Sequence, residues 1–270
     1  MLAVVTVPIC PLKARPEGCA PLADEVPYGV AVETAERRGS WTRVCTHYRY
    51  EGWAPAWCLL TGEEAEVWEE LPKAVVLHKN TCDVLREPDF AASVLFTLPL
   101  GSVLAPVGAA ENGWRRTALC GGRRGWVRES VLGPCYTSPP FQEEQRLREL
   151  IVENALRYRG AQYRWGGKTP LGLDCSGLAS MAYLLSGIAI YRDAKLMEGF
   201  PIHEIPPEQA QPGDLLYFPG HIAVYLGDGR YIHSTGKAGS DGVCINSLDP
   251  GAPDFRADLR EKLEKVGSYF

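Results

Sequence analysis

The chain has 270 residues, a formal charge of −5, and 46% hydrophobic against 23% charged residues. That composition suits a soluble globular protein with room for two or three compact units. Without a broad cationic field, neither nucleic acid nor an anionic membrane is expected as partner, and no apolar run approaches the ~20 residues that span a bilayer.

The opening segment Met1-Leu2-Ala3-Val4-Val5-Thr6-Val7-Pro8 lacks a basic leader and a long apolar core. No secretory signal is read there, and a cytoplasmic location is the expectation. Nine cysteines fall at positions 10, 19, 45, 58, 82, 120, 135, 175 and 244. Their odd number and the lack of any C-x-x-C pair argue against a disulfide framework or a structural zinc site. Eight are expected to be reduced, mostly buried packing residues, with Cys175 set apart. No metal or other cofactor is expected.

The first half repeats itself. Trp41 and Trp53 are twelve residues apart, as are Trp114 and Trp126, and each second tryptophan follows a glycine, Gly52 or Gly125. The separation of Cys10 from Gly29 recurs between Cys82 and Gly101. A period of roughly 70 residues, rich in short β-branched and aromatic runs broken by Gly and Pro, predicts two small all-β barrels. The pattern resembles the bacterial SH3-like domain, with one barrel over 1–64 and a second over 65–135. The acidic stretch Gly62 to Glu70 would join them, and Arg115, Arg116, Arg123 and Arg124 read as a solvated face.

Gly133 to Pro140 reads as a stiff linker. Beyond it, Leu147, Leu150, Ile151, Asn154, Ala155 and Tyr158 fall at helical spacing and Gly160 supplies a stop. Leu178, Met181, Ala182 and Leu185 mark a second helix ending near Gly187. Strands are predicted over 214–218, 222–226 and 231–234. Helices followed by an antiparallel sheet predict an α+β domain over 136–270.

Asp174-Cys175-Ser176-Gly177 follows the Gly-rich approach Trp165-Gly166-Gly167 and opens the second helix. A thiol at a helix N-terminus faces unpaired N–H groups and the positive dipole end, which favour thiolate and can receive an oxyanion. A base must accompany it. His221 begins one strand and His233 lies on the next, and an imidazole can take the thiol proton while a second polar group orients it. Register tests the pairing. A plain two-residue turn at Asp228-Gly229 would set His233 opposite Val224, on the wrong face. A three-residue loop, or a bulge, would set it opposite Ala223 and on the face of His221.

Tyr163-Arg164-Trp165-Gly166-Gly167, Asp174-Cys175-Ser176-Gly177, Pro212-Gly213-Asp214-Leu215, His221-Ile222-Ala223-Val224-Tyr225 and Ile232-His233-Ser234 together resemble the NlpC-type cell-wall peptidases. The resemblance implies a papain-like α+β core with Cys175 as nucleophile, His221 as base and His233 orienting it. The whole arrangement is similar to the γ-D-glutamyl-L-diamino acid endopeptidases. That likeness implies a murein-derived tripeptide or related stem peptide with a free N-terminal L-Ala, cut before diaminopimelate or lysine. It further implies Asp174 as partner of the substrate ammonium, and Ser176, Tyr163, Trp165 and Asp193 around the pocket. The family often has serine where this chain has Ala194, removing one hydroxyl. From the first barrel, Glu25 and Tyr50 are the implied contacts. Two other functions fit the same residues: an amidase or acyl transferase on another substrate, and a non-catalytic wall-binding scaffold.

Overall fold

Short runs with alternating apolar residues, punctuated by Gly and Pro, give strands through the first half. In the computed structural model, which describes all 270 residues, the first seven are β1 (Leu2–Val5), β2 (Ile9–Lys13), β3 (Leu22–Pro27), β4 (Ala31–Arg38), β5 (Trp41–Thr46), β6 (Glu51–Pro55) and β7 (Leu59–Thr61). They form one antiparallel sheet in the order β3-β2-β6-β5-β4-β1-β7. After α1 (Glu63–Glu70) come β8 (Ala74–Val76), β9 (Thr81–Leu85), β10 (Val94–Pro99), β11 (Val103–Glu111), β12 (Trp114–Ala118), β13 (Arg124–Arg128) and β14 (Leu132–Pro134). Their order, β10-β9-β13-β12-β11-β8-β14, is that of the first sheet shifted by seven strands.

The duplication extends to register: Arg43 faces Trp53 across β5 and β6, and Arg116 faces Trp126 across β12 and β13. Gly52 and Gly125 are close-approach sites, because a Cβ would stand 2.7 Å from Leu12 Cβ at the first and 2.5 Å from Val84 Cγ1 at the second. The acidic stretch is a helix rather than a plain connector. Ala65 and Trp68 bury its inner face, and Trp68 Nε1 donates to the Gly29 carbonyl at 3.0 Å. Tyr28 joins Trp68, Val76, Leu98, Leu104 and Val127 in one apolar cluster drawn from both sheets, and its hydroxyl accepts the Cys120 N–H at 2.7 Å.

The chain divides into two compact units, Met1–Cys135 and Tyr136–Phe270. Gly133 and Pro134 pair with β8, so the connecting segment is shorter than composition suggested. The second unit contains α2 (Glu144–Leu156), the hairpin β15 (Lys168–Thr169) and β16 (Gly172–Leu173), and α3 (Cys175–Leu184). It continues through β17 (His203–Ile205), β18 (Leu215–Phe218), β19 (His221–Gly227), β20 (Arg230–Thr235), β21 (Gly242–Ser247), α4 (Ala257–Arg260) and β22 (Lys265–Ser268). Six strands form one antiparallel sheet, β17-β22-β18-β19-β20-β21. Helix α3 packs between α2 and the strands β19 and β20, which explains why Leu178, Met181 and Ala182 are all buried. No helix is long and apolar enough to cross a membrane.

Candidate active site

Asp174 caps α3 by accepting the Gly177 N–H at 2.6 Å. Its other oxygen accepts the Gly166 N–H at 2.8 Å. The Arg192 guanidinium, 1% exposed, spans both oxygens at 3.0 and 3.3 Å and also donates to Ser176 Oγ at 2.7 Å and the Gly167 carbonyl at 3.3 Å. A buried charge persists only when paired and hydrogen-bonded, and these two supply each other's partner. Gly177 completes the corner: a Cβ there would lie 2.2 Å from the Gly167 carbonyl oxygen. The two glycine-containing motifs are therefore the two sides of one close packing. Sequence reading did not single out Arg192, although it adjoins Asp193. The signal that could have found it is a buried carboxylate beside the nucleophile, which requires a cation.

Cys175 is the first residue of α3 and is 8% exposed. Its Sγ accepts the backbone N–H groups of Ile222 and Ser176, so the sulfur lies against the start of β19, one residue from His221. The expected ease of ionisation is not met. Burial, and then the Asp174 charge, push the thiol up to about 11, outweighing the two N–H groups and Arg192. Burial, with His233 and Arg256 adding to it, takes His221 down to about 3. Burial likewise takes His233 down to about 4 against the opposing Asn246 hydrogen bond. The resting pair is a neutral thiol and a neutral imidazole.

The hairpin between β19 and β20 keeps the two-residue turn and adds the bulge, not the three-residue loop. Asp228 (φ 50°) and Gly229 (φ 73°) form a two-residue turn of the kind that demands positive φ. Gly227 pairs with Arg230, but Tyr225 pairs with Tyr231, leaving Leu226 as a bulge. Val224 then pairs with Ile232, and the same register carried one residue further sets Ala223 opposite His233. His221 and His233 share a face, with His221 Nε2 2.7 Å from His233 Nδ1. Next to His233, Ser234 Oγ donates to the Leu173 carbonyl at 2.6 Å, tying β20 to the approach of Cys175.

His233 Nε2 lies 2.9 Å from Asn246 Oδ1 on β21. Sequence reading missed Asn246, because only cross-strand pairing brings it near the histidine. Cys244 also departs from its expected packing role, with Sγ 3.5 Å from both His233 Nε2 and Asn246 Oδ1. Cys19 is exposed, so it too is no packing residue.

Tyr163 pairs with Leu173 and is half-buried, and burial followed by the nearby Cys175 and Asp174 raises its hydroxyl to about 12. Trp165 is 70% exposed and free to present its ring to a ligand. Asp193 is half-buried and hydrogen-bonds Tyr191. Glu25 and Tyr50 belong to the first unit. Glu25 is buried on β3 rather than a surface acid, and Tyr50 leads into β6 through bonds with Thr46. No group of three or more His, Cys, Asp or Glu is arranged to hold a metal ion.

A profile described as the NlpC/P60 family matches residues 160–252, which include Cys175, His221 and His233. Dipeptidyl-peptidase 6 of Lysinibacillus sphaericus is 41% identical over 275 residues, spanning 100% of this chain and 100% of that protein. The chain belongs to the NlpC/P60 family. The gamma-D-glutamyl-L-lysine dipeptidyl-peptidase of Bacillus cereus is 25% identical over 222 residues, covering 76% of this chain and 65% of that protein. A crystal structure of an NlpC/P60 family protein from Bacillus cereus superposes with a TM-score of 0.81 at 21% identity, covering 100% of this chain and 99% of that one. This NlpC/P60 chain therefore shares its fold with that structure along its whole length, beyond the matched segment.

Proposed function

We propose that the chain is a cysteine peptidase that hydrolyses the γ-D-glutamyl bond to a diamino acid in short peptidoglycan stem peptides with a free N-terminal L-Ala. The observation carrying this reading is the corner where Cys175 Sγ meets the start of β19 while His221 is held by His233. The relatives named as dipeptidyl-peptidases, one of them a gamma-D-glutamyl-L-lysine dipeptidyl-peptidase, support the substrate class.

Because the thiol and imidazole are both neutral at rest, the thiol proton moves to His221 Nδ1 as sulfur attacks the γ-carbonyl of D-Glu. The backbone N–H of Cys175, at the start of α3, donates to the developing oxyanion. His221 returns the proton to the departing amine as the C–N bond breaks, leaving a thioester. Water then attacks, giving its proton to His221 and releasing the γ-carboxyl as sulfur recovers a proton. Asp174 supplies negative charge for the substrate ammonium, alongside the Gly166 and Gly177 N–H groups, the Ser176 hydroxyl and the Arg192 guanidinium, whose hydrogen bonds it already accepts. Ser176, Tyr163, Trp165 and Asp193 line the pocket. We read 1–64 and 65–135 as SH3-like domains ahead of a catalytic domain over 136–270, and the activity as serving cell-wall recycling.

The test is incubation with L-Ala-γ-D-Glu-diaminopimelate, its lysine analogue and their N-acylated forms. Release of the diamino acid by the wild type, its absence with Cys175→Ala, and preference for the free amine are expected. Undiminished cleavage by Cys175→Ala would overturn the mechanism, and equal rates on acylated peptide would overturn the recycling role.

A further inference from the structure

We propose that Asn246 is the positioning residue that fixes where the protons sit on the His221–His233 pair, and thereby leaves His221 Nδ1 as the bare nitrogen available to Cys175. The inference rests on the peptidase reading for its kinetic consequence, but the proton arrangement follows from hydrogen-bonding valence alone.

The chain of bonds starts at a backbone oxygen. Asn246 Nδ2 donates to the Asp254 carbonyl at 2.9 Å, and the Ser247 N–H donates to the same oxygen at 3.1 Å. A carbonyl can only accept, so the amide nitrogen must face Asp254 and Oδ1 must face His233. Oδ1 also only accepts. His233 Nε2, at 2.9 Å, therefore carries a hydrogen. A neutral imidazole has one N–H, which leaves His233 Nδ1 as an acceptor 2.7 Å from His221 Nε2. His221 Nε2 must donate, and His221 Nδ1 keeps its lone pair. A general base of the wrong tautomer is no base, so a group three bonds removed from the thiol decides whether the first proton transfer can occur.

Asn246 is 9% exposed and sits on β21 at the position paired with Tyr231. His233 is faced by His221 from β19, by the Tyr231 ring on its own strand and by Cys244 from β21. Arg256 and Asp258, at the start of α4, act on it as charges. An aspartate in place of Asn246 would favour a His233 cation. That cation would donate from Nδ1 as well, and would force the His221 proton onto Nδ1.

The experiment uses the full chain with ¹⁵N-labelled histidine, comparing wild type, Asn246→Ala and Asn246→Asp. In the wild type both rings should show a single tautomer with the proton on Nε2. Asn246→Ala should give mixed tautomers for His233 and a kcat lowered about 10-fold with KM within about twofold. Asn246→Asp should be slow at neutral pH and recover as pH rises, its acidic limb at least one unit above that of the wild type. Unchanged tautomers and kcat in Asn246→Ala, or a pH profile of Asn246→Asp that overlays the wild type, would overturn the proposal. If neither variant folds, the wild-type spectrum decides: a proton on Nδ1 of His221, or a mixture, sinks it. Cleavage by Cys175→Ala would instead sink the peptidase reading while leaving the tautomer result standing.

Discussion

His221 and His233 touch through ring nitrogens 2.7 Å apart because Leu226 is looped out of the ladder between them. Side chains alternate along a strand, so one extra residue on β19 decides which face His233 presents. With every residue paired around the same turn, the histidine would face the opposite side of the sheet.

That relationship predicts an unusual tolerance. Deleting Leu226 leaves Gly227 opposite Arg230 and Tyr225 opposite Tyr231, so Ala223 still faces His233. Turnover by the deletion variant should stay within about fivefold of wild type, since the base keeps its orienting partner. Loss of activity in a variant with native circular dichroism would show that the bulge does more than set parity.

Alkylation of Cys175 should reveal the neutral resting thiol. With the thiol at about 11, carbamidomethylation in the absence of substrate should keep accelerating as pH rises from 9 towards 11. Peptide mapping by mass spectrometry separates this site from the exposed Cys19. A rate that has levelled off by pH 7 would mean a preformed thiolate.

The two buried histidines make folding sensitive to acid. Their folded values, about 3 and about 4, lie below the ordinary 6.5, so the unfolded chain binds more protons between those limits. Stability present above pH 6.5 is lost as pH falls towards 4. Urea midpoints should drop over that window in the wild type and drop less steeply in His233→Gln. Parallel slopes would remove His233 as a source.

Arg192→Ala strands the Asp174 carboxylate in a buried site. Breaking such a pair from one side costs about 3–5 kcal/mol, whereas Arg192→Ala combined with Asp174→Asn should recover part of that loss. Both are read from chemical denaturation, and additive losses would show that the two side chains are not coupled.

The sequence by itself determined the repeat, the order of the motifs and the residue types able to do acyl-transfer chemistry. Tryptophan spacing and Gly-Trp pairs were legible because the duplication prints them twice at the same interval, whatever they pack against. The helix opening at Cys175 was legible because its cap and glycine lie within four residues. What only tertiary structure decided depends on residues distant in the chain: Arg192 across Asp174, Asn246 behind His233, Trp68 in a core shared by both sheets, and the bulge at Leu226. The sign of the thiol's shift belongs to the same class. Helix-end N–H groups can be read from a sequence, but desolvation is set by everything that packs around the sulfur, and here it outweighs them.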